Sequence, residues 1–350
     1  MTTTPPSPAN NAAPTGSPGL TRRRLLQLGA VAGVVGSVLY LSFGRSPSPT
    51  AVRYSQPLMG TTVNLTVCGA DDQFCRTAIT ACIHRMETLS SMLSTYVTDS
   101  PLSNLNRRGV VHNAPPELLE VLRMSRELSE LTGGAFDPTV LPLLGLYRRF
   151  KQSGTLPDQS VIEETLQLVD YRYILIEDPA TIRLARHGTG ITLDGIAKGY
   201  IVDQGVAALQ ASGVTDAYVE AGGDLMVIGR RQDGQAWHIG IRNPRSDNLQ
   251  HMDAIDLSDR AIATSGDYLQ YFTDDRTVHH IIDPRTGFSP LQIASSSILA
   301  PTVARADGLA TATMVLGAER SLALLATLPD CEGYFFDKEL NKYSTKGFFS

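Results

Sequence analysis

From Val63 to Val67 apolar and polar side chains alternate, the period of a strand with one buried face. Through Gly69-Ala70-Asp71-Asp72 the chain enters a stretch where Phe74, Cys75, Ala78, Cys82, Met86, Leu89 and Leu93 recur at helical intervals, which predicts a long amphipathic helix. Cys75 and Cys82 fall on its apolar stripe about two turns, or ~10.5 Å, apart, too far for a mutual disulfide. Both are expected as buried small hydrophobes. A second helix is predicted from Pro115 to Thr132, ended by Gly133-Gly134, and a short one from Val161 to Leu168. Tyr173–Ile176 with Thr181–Leu184 reads as a hairpin. A third long helix is predicted to start near Asp194 and stop at Gly213, where glycine permits a left-handed residue. Strands are expected around Ala217–Glu220, Leu225–Ile228, Trp237–Ile241, Ala261–Thr264 and Val278–Ile282. Helices over Ala304–Val315 and Arg320–Leu328 precede a closing hairpin near Tyr334–Tyr343. Helices and strands intermix without regular alternation, so an α+β fold is expected rather than a doubly wound one.

The first 50 residues break this pattern. Residues 1–20 are rich in Pro, Ser, Thr, Asn and Ala without a charged side chain, a composition that buries too little to order itself. Thr21-Arg22-Arg23-Arg24-Leu25-Leu26-Gln27 and an apolar run from Leu28 to Phe43 then resemble a twin-arginine export signal. The run has 16 residues, short of the ~20 that span a bilayer comfortably. Residues 25–43 are nevertheless a candidate inner-membrane anchor, and the protein is expected to face the periplasm. The expected organisation is therefore a tail and signal over residues 1–50 and one catalytic domain over 51–350. Over the whole chain, 42% hydrophobic and 19% charged residues are ordinary globular values. The tail holds Arg22, Arg23, Arg24 and Arg45 and no acid, leaving 26 basic against 35 acidic residues for the rest. That balance argues against nucleic acid as a partner.

Three segments place carboxylates beside small residues. In Thr192-Leu193-Asp194-Gly195-Ile196-Ala197-Lys198-Gly199-Tyr200, Asp194 and Lys198 would share a helix face near free N–H groups suited to a phosphate; a solvated i,i+4 pair with an N-cap Asp explains the same spacing. In Ala306-Asp307-Gly308-Leu309-Ala310-Thr311, a carboxylate and a hydroxyl four apart are hard oxygen ligands suited to Mg²⁺. An Asp balancing a helix dipole is the alternative there. His279-His280-Ile281-Ile282-Asp283-Pro284-Arg285-Thr286-Gly287 ends a strand with a turn, and a histidine held there could take a proton from a hydroxyl.

Taken with five further motifs, these segments resemble the ApbE family of FAD:protein FMN transferases along nearly all of residues 54–345. The motifs are Met59-Gly60-Thr61-Thr62, Ser94-Thr95-Tyr96 with Ser103-Asn104-Leu105-Asn106, Gly133-Gly134-Ala135-Phe136-Asp137-Pro138, Ala221-Gly222-Gly223-Asp224 and Thr264-Ser265-Gly266-Asp267-Tyr268. The resemblance implies T-fold-like mixed sheets with packed helices, in two subdomains with FAD in the cleft. It also implies Mg²⁺-dependent transfer of FMN from FAD to a Thr or Ser of an acceptor flavoprotein, with AMP released. Met59, Tyr96, Ala135, Phe136, Asp137 and Lys198 match flavin-nucleotide contacts, and Gly195, Asp307 and Thr311 match the metal site. Many relatives carry Asp where this chain has Thr192, and Gly or Ser where it has Asp194, so the contacts of that acid fall between Thr192 and Asp194. His280 and Asp283 are the candidates for deprotonating the acceptor. An FAD pyrophosphatase and a flavin-binding protein without turnover are the rival readings. Export suggests a respiratory or electron-transfer protein as acceptor.

Overall fold

The alternation at Val63–Val67 belongs to a longer strand whose Val63, Leu65 and Val67 face the main core. The computed structural model describes residues 50–246 and 252–350. The expected tail, twin-arginine segment and candidate anchor lie outside the described residues. No helix among the described residues is long and apolar enough to cross a membrane.

The strands are β1 (Thr50–Leu58), β2 (Thr61–Gly69), β3 (Val110–Val111), β4 (Ile174–Glu177), β5 (Thr181–Leu184), β6 (Asp216–Ala221), β7 (Asp224–Ile228), β8 (Trp237–Ile241), β9 (Asp253–Leu257), β10 (Arg260–Gly266), β11 (Ile293–Ala300), β12 (Glu332–Asp337) and β13 (Lys342–Ser344). The helices are α1 (Asp72–Met92), α2 (Pro101–Arg108), α3 (Pro116–Leu131), α4 (Leu141–Ser153), α5 (Gln159–Leu166), α6 (Ala197–Ala211), α7 (Val303–Leu316) and α8 (Ala318–Leu325). The main sheet runs β1-β2-β6-β7-β10-β11-β12-β13 with antiparallel neighbours throughout. A smaller antiparallel sheet, β3-β5-β4, and the hairpin β8-β9 accompany it. The fold is α+β, as the pattern predicts.

Helices α1, α6 and α7 cover one face of the main sheet. On the other face Trp237, Ile239, Ile255 and Leu257 of β8 and β9 pack with Leu225, Ile262, Tyr334 and Phe336. The core of the helix-covered face runs on without a break into Leu118 and Leu122 of α3 and Ile174 and Ile182 of the small sheet. Helix α1 opens as its sequence demands, with the Asp71 carboxylate accepting from the Phe74 N–H at 2.8 Å. Cys75 and Cys82 are wholly buried, and all four cysteines are free.

Besides β1, β3, β9, α2 and α4, where the sequence reading expected no element, three segments differ from it. Strand β11 was not foreseen, because Ser295, Ser296 and Ser297 look like a loop. They are buried since both faces of β11 are covered, with Ser296 paired to Thr313 at 2.6 Å and Ser297 to Thr264 at 2.8 Å. The strand expected over Val278–Ile282 is instead irregular, touching its neighbour only at the Tyr271–His279 bridge. Ser289 Oγ accepts from the His279 N–H and donates to the His279 carbonyl, so that segment's main chain is stapled to its own turn rather than to a strand. Helix α6 begins at Ala197, three residues after Asp194, which lies in a preceding turn.

Candidate active site

The site is built where α6 crosses the start of α7. Gly199 makes the crossing possible: a Cβ there would meet the Val303 carbonyl oxygen at 2.5 Å. One turn further along α6, Asp203 caps α7, its two oxygens accepting from the N–H groups of Val303 at 2.8 Å and Ala304 at 2.9 Å. Burial still pushes the Asp203 carboxyl up to about 6, against the pull of those two N–H groups. The Gly199 N–H, freed by its place in the first turn, donates to Asp307 Oδ2 at 3.1 Å. Asp307 is thus not a dipole-balancing residue of the first turn of α7. It is a buried carboxylate, 4% exposed, reaching back to the neighbouring helix.

Lys198 and Asp194 do not share a helix face. Lys198 points inward and forms an ion pair with Asp224, which is 1% exposed on its side chain. Burial pulls the Lys198 amine below its ordinary value, while Asp307 and Glu220 hold it up. Burial likewise pushes Asp307 up, and Lys198 and the Gly199 N–H oppose that. Asp224 reaches Lys198 because Ala221-Gly222-Gly223-Asp224 is a tight turn between β6 and β7. Both glycines have positive φ, +60° and +98°, which a side chain would strain. Glu220 closes the turn by accepting from the Gly223 N–H at 2.6 Å. The turn abuts the β1-β2 hairpin tip, where Met59 and Gly60 have φ of 54° and 71°; a Cβ on Gly222 would stand 2.7 Å from Thr61 Oγ1.

The turn that carries Gly195 is held from two sides. Asn106 receives the Ile191 N–H at 2.7 Å and donates to the Ile191 carbonyl at 2.8 Å, and the Thr192 N–H donates to the Pro138 carbonyl at 2.8 Å. Thr192 Oγ1 accepts from the Asp194 N–H at 3.2 Å. Gly195 consequently lies against Thr311 and Phe136: a Cβ would meet Thr311 Oγ1 at 3.1 Å and the Phe136 ring at 3.3 Å. Thr311 Oγ1 is also 3.4 Å from Ser265 Oγ. Thr311 is only half-buried, whereas its neighbours Ala310 and Ala312 on the same helix are fully enclosed.

A model of the ApbE family matches residues 59–335. The chain belongs to the ApbE family. It is 33% identical over 301 residues to an FAD:protein FMN transferase of Vibrio cholerae, covering 83% of this chain and 88% of that protein. An FAD:protein FMN transferase of Treponema pallidum is 33% identical over 264 residues, covering 70% and 72%. Among solved structures, the ApbE protein of Thermotoga maritima matches with a TM-score of 0.76 at 29% identity, covering 85% of this chain and 98% of that one. The flavin transferase ApbE of Vibrio cholerae matches with a TM-score of 0.73 at 30% identity, covering 86% and 98%.

Within this ApbE fold, Gly195 lies against Thr311, and Asp307 sits one turn before Thr311 on α7. The donor chemistry fits Mg²⁺: one buried carboxylate with a single oxygen engaged by a hydrogen bond, one hydroxyl and a tightly packed glycine that leaves its main chain approachable. Among the described residues no cluster of three His, Cys, Asp or Glu side chains forms a metal site, so a cation here would need carbonyl and hydroxyl oxygens beside the one carboxylate. A cavity of about 590 Å³ beside Tyr218, Trp237 and Tyr268 is lined by none of Gly195, Lys198, Asp307 or Thr311.

Two acids expected at the substrate are occupied elsewhere. Asp137 is buried, with Oδ1 accepting from the Thr139 N–H at 2.8 Å and hydroxyl at 2.6 Å, and Oδ2 from the Tyr171 N–H at 2.8 Å. Its carboxylate therefore ties the Ala135–Pro138 segment to the chain ahead of β4. Asp283, a candidate base, accepts from Arg285 Nε and Nη2, both at 2.8 Å, and from the Arg285 N–H at 2.9 Å. It organises the turn. His280 keeps a free ring nitrogen: its Nδ1 lies 2.8 Å from the Gln270 carbonyl, which can only accept, so Nδ1 carries the proton and Nε2 is left basic. Burial holds His280 below its ordinary value. The adjacent His279 is fully enclosed, donates from Nε2 to the Pro290 carbonyl at 3.1 Å and is pulled by burial to about 4.

At the mouth, Tyr96 is 71% exposed and accepts a 2.8 Å hydrogen bond from Arg148 Nη2. Arg148 in turn lies 3.6 Å from Asp194, and both charges act on His280. The residues missed from sequence are Arg148, Asp224 and Asp267. Asp224 and Asp267 each follow a glycine within recognised motifs, a signal that was available. Asp267 is buried between Arg245, at 2.6 and 2.7 Å, and Lys338. Burial opposes its ionisation, but those hydrogen bonds outweigh it and hold the carboxyl below its usual range. Arg148 carries no local signal, lying in the unpredicted helix α4.

Proposed function

We propose that this protein transfers FMN from FAD to a Ser or Thr hydroxyl of an acceptor flavoprotein in a Mg²⁺-dependent reaction. The observation that carries the reading is the convergence of Gly195, Asp307 and Thr311 behind a turn clamped by Asn106. Those three residues would hold Mg²⁺, which supplies charge neutralisation at a diphosphate. The acceptor oxygen forms a new bond to the phosphorus on the riboflavin side, the bond from that phosphorus to the oxygen bridging to AMP breaks, and AMP leaves with that oxygen. The acceptor proton passes to Nε2 of His280, whose tautomer is set by the Gln270 carbonyl. Asp283 positions that histidine's turn through Arg285. Lys198, braced by Asp224, sets a positive charge against the upward pull of burial on Asp307, and Phe136 packs behind Gly195. Met59, Tyr96 and Ala135 complete the flavin-facing wall.

Incubation of the protein with FAD, Mg²⁺ and a candidate acceptor is expected to leave flavin fluorescence on the acceptor band after denaturing electrophoresis. FMN and AMP formed at the same rate with and without acceptor, and no labelled band, would make it a pyrophosphatase. We further propose that Arg22 and Arg23 direct export to the periplasm, where an electron-transfer protein is the acceptor. Lys at both positions is expected to retain the full chain in the cytoplasm, and normal delivery would refute that route.

A further inference from the structure

The cations around the site are nearly all committed to acids. Lys198 is held by Asp224, Arg285 by Asp283, and Arg245 with Lys338 by Asp267. A diphosphate entering beside Gly195 would have to break a buried ion pair to recruit any of these. Arg148 is different. Its contact with Asp194 is 3.6 Å, without a hydrogen bond, between side chains 37% and 49% exposed. Its one hydrogen bond goes to the neutral Tyr96 hydroxyl, and its guanidinium carbon lies 5.5 Å from that ring's centroid.

Arg148 is also rigidly mounted. The residue before it, Tyr147, is 2% exposed, donates to the Gly287 carbonyl at 2.7 Å and stacks on Phe272 at 6.1 Å. That anchor fixes the exposed face of α4 to the turn that carries His280. Arg148 therefore stands where the Tyr96 segment, the Asp194 turn and the His280 segment meet, although it belongs to none of the recognised motifs. A guanidinium offers a planar fork matched to phosphate oxygens, and a loose, solvated pair is cheaply exchanged for such a ligand.

We propose that Arg148 is the phosphate-binding cation of this site, taking the diphosphate of FAD, with Asp194 holding the guanidinium until the substrate arrives. The proposal rests on the flavin-transfer reading. Its test uses the full chain, Arg148→Gln, Arg148→Lys and Asp194→Asn, with binding of FAD, FMN and riboflavin followed by flavin fluorescence in Mg²⁺. Arg148→Gln is expected to weaken FAD and FMN by about 10–100-fold, the scale of a hydrogen bond to a charged group, while riboflavin binding is unchanged. Unchanged riboflavin binding doubles as the control for folding. Arg148→Lys should recover part of the loss, and Asp194→Asn should tighten FAD several-fold by releasing the guanidinium. Equal weakening of riboflavin and FAD would overturn the proposal, because Arg148 would then act only through the Tyr96 ring. Unaltered FAD affinity in Arg148→Gln would overturn it as well. A parent that binds FAD yet labels no acceptor would refute the transferase reading alone, and the FAD-against-riboflavin comparison would still decide the role of Arg148.

Discussion

The crossing of α6 and α7 and the mouth at Tyr96 place the same kinds of charge under opposite conditions. At the crossing, Asp224 and Asp307 are out of water while Lys198 keeps 27% of its side chain exposed, and each acid is answered from inside the protein: Asp224 by Lys198, and Asp307 by the Gly199 N–H and the Lys198 charge. Removing a partner there leaves an uncompensated buried charge, a loss of about 3–5 kcal/mol. At the mouth, Arg148 and Asp194 are hydrated, and their attraction is worth no more than about 1 kcal/mol. The lesson is a division of labour. On the proposed reading, buried charges fix the geometry of a cation site, and exposed ones remain available to bind and release an anion.

The largest effect is expected at the crossing. Asp307→Ala should lower FMN transfer by more than about 10³-fold in excess Mg²⁺, since the site loses its only carboxylate ligand, while FAD binding survives in part. Initial rates of covalent labelling check this, and a parent-like rate would break the comparison by making the buried acid dispensable. His280→Asn should follow at about 10²–10⁴-fold, the usual span of a general base, with FAD affinity little changed. Because burial holds His280 below its ordinary value, the parent's rate should fall only below the normal imidazole range of ~6.5. That acid limb should vanish in the variant. Loss at Asp283→Asn with an unaffected His280→Asn would instead move the proton to the aspartate.

Much of this was legible in the sequence, and the exceptions have physical causes. Asp307 and Thr311 could be paired from their four-residue spacing among small neighbours, whereas Gly195 came only with the family resemblance. The internal hydrogen bonds of Asp137 and Asp283 were not legible, because a carboxylate beside glycine and proline looks the same whether it faces a ligand or an N–H of its own turn. The N–H donors of Thr139, Tyr171 and Arg285 show only in three dimensions. Strand β11 was hidden by serines whose partners are 33 and 17 residues away, and Arg148 by a helix with no cap signal in its first turn.

Smaller effects sharpen the contrast through stability. Gly199→Ala should cost about 1–3 kcal/mol, the usual range for overpacking, because its methyl would press on the Val303 carbonyl. Thermal melting checks it, and an unchanged melting temperature would mean that α6 and α7 can part without cost. His279 should contribute a weaker, acid-side dependence. Its folded value of about 4 lies below the unfolded ~6.5, so the neutral ring's contribution is full above ~6.5 and is lost as pH falls through about 4. His279→Gln should flatten the melting curve across that window, and identical curves would assign the acid sensitivity elsewhere.

The central claim is that the oxygens of Gly195, Asp307 and Thr311 serve phosphoester transfer to a protein hydroxyl. Its most direct test is the ratio of AMP released to flavin covalently bound, measured by chromatography and by mass spectrometry of the acceptor in the presence of FAD and Mg²⁺. The account predicts about one AMP per FMN attached to a Ser or Thr of the acceptor, and neither product with Asp307→Ala. AMP accumulating with free FMN while the acceptor stays unmodified would contradict it.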